Sequence, residues 1–376
     1  MQLIETAGAP GPALAALGDI GVIGTARARA RREGYDALLR VPSQALRAAD
    51  LAFANLEFPV GEPAWVRPGR SSEFRHDEDV CAALARAGVR VVSLANNHMM
   101  DCGPRGLERT LGACERAGLL TAGAGADLAA ARMPVRLEVA GRRVVLLAYA
   151  QTSGDAAGAG VPGVAPLDEA IVREDVTRWR AEADVLIVSA HWGSMYVDYP
   201  PPRVTAMARA LAEAGADVVL GHHPHVLQGA GTVGSTLVLY SLGDAAFNCR
   251  AGDFHARVAA QSRLASGTFT VRIASARHGL DLSPHRLDDD GFPVAADAAQ
   301  AAAIAERVRT LGAGLADAAG NFAAEAAPRL LQYELEGIGH YLRQGRIDRI
   351  AKLLLSIRPR HLRLLWQGVS RRGGGG

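Results

Sequence analysis

Short apolar runs that end in polar or glycine residues recur along the first two thirds of the chain. Each run has the length of a buried β-strand, and the segments between the runs keep the spacing of amphipathic helices. Strands alternating with helices predict a layered α/β fold with a largely parallel sheet. The predicted strands are Ala13–Leu17, Leu51–Ala54, Val89–Leu94, Val144–Tyr149, Val185–Val188, Val218–Leu220 and Leu237–Tyr240, and the predicted helices are Ser43–Ala49, Val80–Ala87, Gly106–Ala117, Val172–Ala183 and Arg203–Ala214.

The chain changes character near residue 295. Gly267–Ile273 and Gly279–Pro284 have the pattern of late strands that close a sheet edge, whereas the alanine-rich residues that follow indicate amphipathic helices. We therefore predict two domains, an α/β domain over residues 1–294 and a helical extension over residues 295–372. Packing of these helices on the outer face of the domain, or on a second copy in a homodimer, is favoured over a role in binding a substrate or another partner.

The composition is that of a folded globular protein, with 376 residues, 49% hydrophobic and 21% charged. A net charge of +2 does not indicate binding to nucleic acid or to an anionic membrane surface. The four cysteines lack CxxC spacing and indicate buried thiols in a reducing compartment. Because neither a signal peptide nor an apolar run of about 18 residues is present, we expect a cytoplasmic protein without a transmembrane segment.

Two glycine-rich stretches, Gly123–Gly125 and Gly154–Gly163, have the composition of surface loops, and the second is a candidate cover for a site. The first lacks the strand-linked GxGxxG or GxxxxGKS context that phosphate binding requires. A nucleotide-binding function is therefore disfavoured.

Polar residues follow the predicted strands directly, and five of these clusters contain candidate metal ligands. Open α/β sheets bind ligands at the carboxyl ends of their strands, so the clusters are expected to converge. Histidine and carboxylate ligands suit borderline divalent metals. The clusters are Gly18-Asp19, Asn55-Leu56-Glu57, Asn96-Asn97-His98, His191-Trp192-Gly193 and Gly221-His222-His223-Pro224-His225.

The last cluster carries the strongest signal, since three histidines within four residues follow an apolar strand. Buried neutral imidazoles need a metal or an acidic partner to satisfy their ring nitrogens. Asp19 and Glu57 alone are weak signals, because acidic residues also cap helices and turns. Their position at neighbouring strand ends lets them bridge one or two cations, with Asn97 as a neutral oxygen ligand. His98 is a candidate acid or anion-stabilising group.

Several of these segments resemble the signatures of the bacterial capsule-synthesis CapA (PGA_cap, poly-γ-glutamate synthesis) family. The resemblance extends from about residue 13 to about residue 293, with all motifs in order. The segments that carry it are Ala54-Asn55-Leu56-Glu57, Val91–His98 followed by Asp101 and Gly103, Ser189–Gly193, Gly221–Gln228 and Tyr240–Gly243.

This resemblance implies a calcineurin-like four-layered α/β/β/α sandwich with a two-metal site at one end and, here, a C-terminal helical extension. It implies two divalent metal ions, whose identity among Mn, Fe, Zn and Mg stays open, and an anionic small-molecule or polymer substrate. His98 corresponds to the histidine that assists the leaving group. The expected metal ligands are Asp19, Glu57, Asn97, His191, His222, His223 and His225, and the expected substrate contacts are Asn55, Asn96 and Trp192.

Two positions depart from the pattern. Gly21 stands where metallophosphoesterases have a histidine two residues after the first aspartate, which removes one expected ligand. Asp244 stands where the capsule family usually has asparagine, and we include this extra carboxylate with His98 among the candidate catalytic residues.

Two functions follow as hypotheses. The first is a metal-dependent hydrolase, acting on a phosphoester or on a glutamyl or peptide-like amide, linked to capsule or poly-γ-glutamate synthesis. The second is a non-catalytic accessory or binding protein of the same process. The nearly complete ligand set favours the enzyme, and Gly21 is the main point against it.

Overall fold

The computed structural model describes residues 1–152, 154–248 and 265–326, and these form two large β-sheets that face each other between two layers of helices. The strands are β1 Gln2–Ile4, β2 Pro10–Gly21, β3 Leu51–Leu56, β4 Val91–Ser93, β5 Leu120–Ala122, β6 Ala124–Gly125, β7 Val135–Val139, β8 Arg142–Ala150, β9 Gly163–Val164, β10 Val185–His191, β11 Val218–His222, β12 Ala230–Val233, β13 Thr236–Leu239, β14 Asp244–Phe247, β15 Ala265–Ala274, β16 Gly279–Leu287 and β17 Pro293–Ala295. The α-helices are α1 Gly24–Glu33, α2 Ser43–Ala48, α3 Asp79–Ala87, α4 Gly103–Arg116, α5 Leu128–Ala131, α6 Glu169–Arg180, α7 Pro202–Ala214 and α8 Ala298–Ala313.

The two faces of β8 demonstrate the layering. Val144 and Leu146 belong to the core that lies between the sheets, whereas Val145 and Leu147 belong to a second core that lies against α6 and α7. Successive side chains of a strand point to opposite faces, so a strand covered on both faces must be apolar at nearly every position. The continuous apolar runs of the sequence therefore mark strands buried between two layers, and the α/β/β/α sandwich is confirmed.

Both sheets are mixed rather than largely parallel, which corrects the sequence-based expectation. The nine-stranded sheet has the path β1-β16-β15-β2-β3-β4-β5, with β14 paired to β2 and β17 to β16; its strands β14, β2, β3, β4 and β5 are parallel. The six-stranded sheet has the order β12-β13-β11-β10-β8-β7, with antiparallel strands at both ends. Within each sheet the parallel strands are adjacent, so their carboxyl ends meet at one edge.

A short crossing joins the two sheets at that edge. The chain leaves the six-stranded sheet at Leu239 and enters the nine-stranded sheet at Asp244. On the way, Gly243 O accepts a hydrogen bond from Asp19 N at 2.9 Å and Leu242 N donates one to Gly221 O at 3.0 Å. The backbone of residues 240–244, which we call the crossing segment, thus ties both sheets together beside two of the predicted ligand clusters.

Helix α8 begins the predicted helical extension and packs across the edge of the sandwich, against β1, β12 and β16. Asp297 caps it and forms a capping box with Gln300. Ile304 and Val308 belong to the same buried core as the sheets, so this helix is part of the main core rather than a detached appendage. The predicted helices beyond residue 326 lie outside the described residues, and the domain boundary stays a prediction.

All seven predicted strands, both late strands and all five predicted helices coincide with observed elements of the same type. The prediction of a surface loop at Gly123–Gly125 is wrong, because Ala124–Gly125 forms β6 and a Cβ on Gly123 would lie 2.5 Å from Ala95 Cβ. Cys81 and Cys114 are buried as expected, with their Sγ atoms 3.8 Å apart, whereas Cys249 lies outside the described residues. Among the helices described, none is long and apolar enough to cross a membrane.

Gly18→Ala tests the crossing segment. A Cβ at Gly18 would lie 1.9 Å from Gly243 O, a backbone atom that cannot move without breaking the join between the sheets. We expect this overpacking to lower the free energy of unfolding by about 1–3 kcal/mol, measured from the urea midpoint. Gly158→Ala is the matched control, because its nearest contact would be an ordinary 3.5 Å to Val161. Equal stability of the two variants would contradict the close approach.

Candidate metal centre

Asp19 occupies the centre of the predicted site, near the end of β2. It is 1% exposed, and its register partners on the two adjacent strands are Asn55 and Asp244. Asn55 Nδ2 donates to Asp19 Oδ1 at 2.8 Å, and His223 N donates to Asp19 Oδ2 at 3.0 Å. His222 Nδ1 lies 2.9 Å from Asp19 Oδ1. The carboxylate is therefore fixed from both sheets.

The pKa of Asp19 lies well below its usual range. Burial alone raises it, but the hydrogen bond and charge of His222, together with the nearby His225 and His191, outweigh that effect. Asp19 is thus held as a carboxylate, the form that a carboxyl group needs for binding a metal.

Glu57 lies opposite, just after β3, and is fully buried. Neither of its carboxylate oxygens has a hydrogen-bond partner among the described residues, although His225 Nε2 lies 3.5 Å from Oε1. Burial raises the pKa of Glu57 well above its usual range, and the charges of Asp19 and Asp244 raise it further. A buried carboxyl group without partners is costly, and either a proton or a cation relieves that cost.

Asp19, Glu57 and His225 form the first donor group, which we call the carboxylate group. One donor atom from each residue lies within 4.8 Å of the others. Two carboxylates and an imidazole suit Mn²⁺, Fe²⁺ or Zn²⁺. The orphaned oxygens of Glu57 and the spacing of the donors both fit a divalent cation.

Asn97, His191 and His223 form the second donor group, the imidazole group. His191 Nε2 lies 2.8 Å from Asn97 Oδ1 and 3.1 Å from His223 Nδ1. Two ligands about 2.1 Å from one ion, at right angles to each other, lie about 3 Å apart, so these separations also fit a cation. Burial lowers the pKa of His191 well below its usual range and, with the nearby His225, lowers that of His223 to about 3. Both imidazoles are neutral at pH 7, as ligands must be.

The remaining predicted ligand, His222, lies outside both donor groups. It is fully buried, its ring is tilted against that of Phe53 at 5.7 Å between centroids, and its Nδ1 is directed at Asp19. Its Nε2 has no partner among the described residues. In this position His222 orients Asp19, and Asn55 does the same from β3. A metal contact for His222 and a substrate contact for Asn55 stay predictions.

Asp244 lies across β2 from Asn55 and contacts His225. Its Oδ1 is 2.7 Å from His225 Nδ1, while His225 Nε2 is turned towards Glu57. A carboxylate on one ring nitrogen fixes the tautomer and leaves the other nitrogen for a metal. The geometry therefore gives Asp244 a positioning contact on a candidate metal ligand, and the catalytic role that the sequence suggests for it stays a prediction.

Phe247 occupies the space that a side chain at Gly21 would need. The two residues are register partners on β14 and β2, and a Cβ at Gly21 would lie 2.3 Å from the Phe247 ring. The same ring lies 4.7 Å from the ring of His225, between centroids. The missing histidine at this position is thus accompanied by an aromatic residue that fills its place.

The backbone around the site is strained. Tyr196, His223 and His225 all have positive φ angles, of 61°, 94° and 56°, and the hydrogen bond from Tyr196 N to Pro224 O at 2.8 Å joins their loops. Such conformations cost about 1–3 kcal/mol each in non-glycine residues and persist where the surroundings impose them. Here they direct the side chains of His223 and His225 towards two different donor groups, although only Pro224 separates the two residues.

His98 lies beside the imidazole group and is mostly buried between aromatic rings. Its ring is 4.9 Å from Phe58 and 5.0 Å from Phe74, between centroids. His98 Nδ1 lies 2.7 Å from Asp101 Oδ2, which leaves Nε2 as the nitrogen that can face a substrate. Asp101 is the main functional residue that the sequence analysis left without a role, although the i,i+3 spacing to His98 signals the pair.

Asn96 and Trp192 are both buried by protein contacts. Asn96 Nδ2 donates to Leu56 O at 2.9 Å, and its Oδ1 accepts from His98 N at 3.1 Å. Trp192 is 1% exposed, packs in the core on the α6–α7 side of the sheet, and donates Nε1–H to Tyr240 O at 3.0 Å. Both residues shape the loops that carry the ligands. A direct substrate contact for either stays a prediction.

Comparison with known proteins places the chain in a family. The family model described as "Bacterial capsule synthesis protein PGA_cap" matches residues 13–249. The PGA biosynthesis protein CapA of Bacillus subtilis is 32% identical over 221 residues, which cover 58% of this chain and 58% of that relative. A probable polyglutamine synthesis accessory protein of Mycobacterium tuberculosis is 30% identical over 253 residues, covering 64% of this chain and 67% of the relative.

The chain thus spans a little over half the length of the Bacillus relative that it matches. Among solved structures, the putative 5'-nucleotidase of Staphylococcus aureus in complex with alpha-ketoglutarate aligns with a TM-score of 0.48 and 14% identity, over 79% of this chain and 58% of that one. The family model covers well over half of the chain and contains all of the donor residues described above. On this basis the chain belongs to the bacterial capsule synthesis protein (PGA_cap) family.

Proposed function

We propose that the protein is a metal-dependent hydrolase that acts on an anionic substrate in capsule or polyglutamate synthesis. The observation that carries the proposal is the buried, unpartnered carboxyl group of Glu57, which lies with Asp19 and His225 beside the imidazole group. The two donor groups would hold two divalent cations. When bound, such cations supply Lewis acidity that lowers the pKa of a water molecule and stabilises an oxyanion.

The residues of the chain contribute binding, orientation and a proton. Asn55 and His222 hold Asp19, and Asp244 holds His225, so the donor atoms are preorganised before any ligand arrives. His98 has Nδ1 engaged by Asp101, and Nε2 would hold the proton that passes to the departing group. The rings of Phe58 and Phe74 beside His98 would limit the access of water to that transfer.

The site is compatible with the cleavage of two kinds of bond. A centre of this kind acts on phosphoryl and on acyl groups alike, so phosphoester and glutamyl or peptide-like amide substrates are both candidates. The names of the two relatives refer to PGA biosynthesis and polyglutamine synthesis, which supports the amide.

An accessory role without catalysis is the second candidate, favoured by the word "accessory" in the name of the Mycobacterium tuberculosis relative. The His98–Asp101 pair favours the enzyme. A purely structural metal site does not require a histidine that is oriented through Nδ1 and keeps Nε2 for a substrate. Metal analysis of the purified protein, followed by a phosphatase and γ-glutamyl-amide screen with Mn²⁺, Zn²⁺ or Fe²⁺, tests the choice. Metal binding without turnover of either substrate class would favour the accessory role.

Glu57→Gln should remove bound metal and yet stabilise the metal-free protein. The folded-state pKa of Glu57 is raised, so the stability of the metal-free wild type is fully present below the unfolded pKa and falls as pH rises through the folded value. Glutamine carries no ionisable group and avoids that loss. We expect the urea midpoint of Glu57→Gln to exceed that of the metal-free wild type at about pH 8 and to match it near pH 4.

The exposed Glu108→Gln is the control for this experiment, since it makes the same chemical change on the outside of α4. It should keep the metal content and the pH profile of the wild type. A midpoint difference for Glu57→Gln that does not change with pH would contradict the assignment.

His98→Ala should lower kcat about 10²–10⁴-fold while the metal content stays at the wild-type level, because the donated proton is lost but the donor groups are intact. Asp101→Asn should lower kcat by a smaller factor, since it weakens the hold on His98 without removing it. Substrate turnover and metal content are measured on the same samples. Wild-type kcat in His98→Ala would rule out its role as the acid.

Gly21→His combined with Phe247→Ala should add an imidazole to the carboxylate group, because the second change vacates the space that the first one needs. We expect tighter metal binding, by about tenfold or more, in a chelator competition assay. Gly21→His alone should instead destabilise the fold by overpacking. No gain in metal affinity over Phe247→Ala alone would contradict this account of Gly21.

A further inference from the structure

A polar cavity of about 270 Å³ opens beside the imidazole group. Two donor residues, Asn97 and His223, form one wall, and the loop after β8 forms another. The lining residues are Arg70, Asn97, Gln151, Thr152, Asp155, Gly193 and His223. Because small-molecule pockets usually measure about 300–1,000 Å³, this cavity is sized for one compact group of a substrate rather than for a whole polymer.

Arg70 is the charged donor of this cavity, and two carboxylates hold its guanidinium from one side. Its Nε lies 3.0 Å from Asp101 Oδ1, and its Nη2 lies 3.3 Å from Asp155 Oδ2. The side chain is 33% exposed. These contacts fix the plane of the guanidinium without burying it.

The remaining edge of Arg70 is open. Guanidinium groups carry five N–H donors, and among the described residues no acceptor is found for Nη1 of Arg70. Asp155, by contrast, is engaged through both oxygens, because Arg67 Nη2 lies 2.7 Å from Oδ1 while Arg70 is at Oδ2. A donor edge is therefore free in the cavity, whereas the nearby carboxylate is already paired.

We propose that Arg70 is the specificity-determining residue of an oxyanion subsite, which binds a carboxylate or phosphoryl group that the substrate carries next to the bond being cleaved. This inference rests on the proposed function for the identity of the reaction, but not for the binding itself. Oxyanions pair with guanidinium through two N–H groups at once, a geometry that neutral groups do not match. An ammonium group is disfavoured because Asp155 is occupied by two arginines.

The location gives the subsite its relation to catalysis. Arg70 also contacts Asp101, whose other oxygen holds His98, and it lines the same cavity as the donor residues Asn97 and His223. A substrate with an anionic group at this distance from its scissile bond would be oriented before the chemical step. Substrates without that group would lose the contact.

The test compares Arg70→Gln with Arg67→Gln in metal-depleted protein. Both variants remove one ion pair from Asp155, but only Arg70 lines the cavity, so Arg67→Gln is a matched control. The probes are glutarate and inorganic phosphate, titrated by calorimetry. We expect Arg70→Gln to weaken binding of at least one probe by about tenfold or more, and Arg67→Gln to change it by less than about twofold. Arg70→Lys keeps the charge but lacks the paired N–H donors of the guanidinium, so its loss of binding should be intermediate between those of the two variants.

The pattern across probes identifies the group. Loss of glutarate binding alone assigns a carboxylate, loss of phosphate binding alone assigns a phosphoryl group, and loss of both supports an oxyanion subsite of either kind. Absence of binding to the wild type, or equal losses in Arg67→Gln and Arg70→Gln, would overturn the proposal. Metal content is measured separately on undepleted protein, so a failure of the metal hypothesis is distinguishable from a failure of the subsite.

Discussion

The crossing segment is the constraint on which the site depends. Residues 240–244 pass from one sheet to the other in so few residues that the carboxyl ends of β2 and β11 are held within hydrogen-bond reach of a single backbone. Gly18 and Gly221 permit this approach, because a Cβ on either would lie about 2 Å from a carbonyl oxygen of the segment, at 1.9 Å and 2.0 Å. Asp19 and His222 come directly after these glycines. The join between the sheets and the placement of the ligands are thus one feature.

The rigid join between the sheets also explains how the protein tolerates the unfavourable free energy of the site. Three carboxyl groups, from Asp19, Glu57 and Asp244, lie buried together, and two histidines have positive φ angles. Each of these features opposes folding. They persist because the apolar strands around them are covered on both faces, so the surrounding sandwich gains more from burial than the site loses. A cation would reduce the carboxyl repulsion, which links the stability of this region to ligand binding.

The sequence allowed the sheet edge to be predicted, but not the pairing across it. Apolar runs followed by Asp19, Asn97 or His191 define strands and their carboxyl ends, and those ends meet because the strands are parallel and adjacent. The direction of the side chains could not be predicted in this way. His222 and His223 are neighbours in sequence, and yet the ring of His222 contacts Asp19 whereas the ring of His223 contacts His191. Only the positive φ angle at His223 separates them, and nothing in the local sequence specifies it.

The contacts that the sequence could not reveal join distant segments. Arg70 meets Asp155 from 85 positions away, and neither residue follows a predicted strand. Phe247, at the end of β14, fills the space beside Gly21 on β2. Periodicity describes one segment at a time, so pairs of this kind become visible only when both segments are placed.

Strand β14 accounts for both departures from the expected ligand pattern. Its first residue, Asp244, engages His225, and its last residue, Phe247, closes the space at Gly21. One residue of this strand therefore fills the space of the imidazole that is missing at Gly21, and another fixes the imidazole of His225. The imidazole group receives no such change. Because Asp244 and Phe247 both lie on β14 and both contact His225, the two departures change the surroundings of the same candidate ligand.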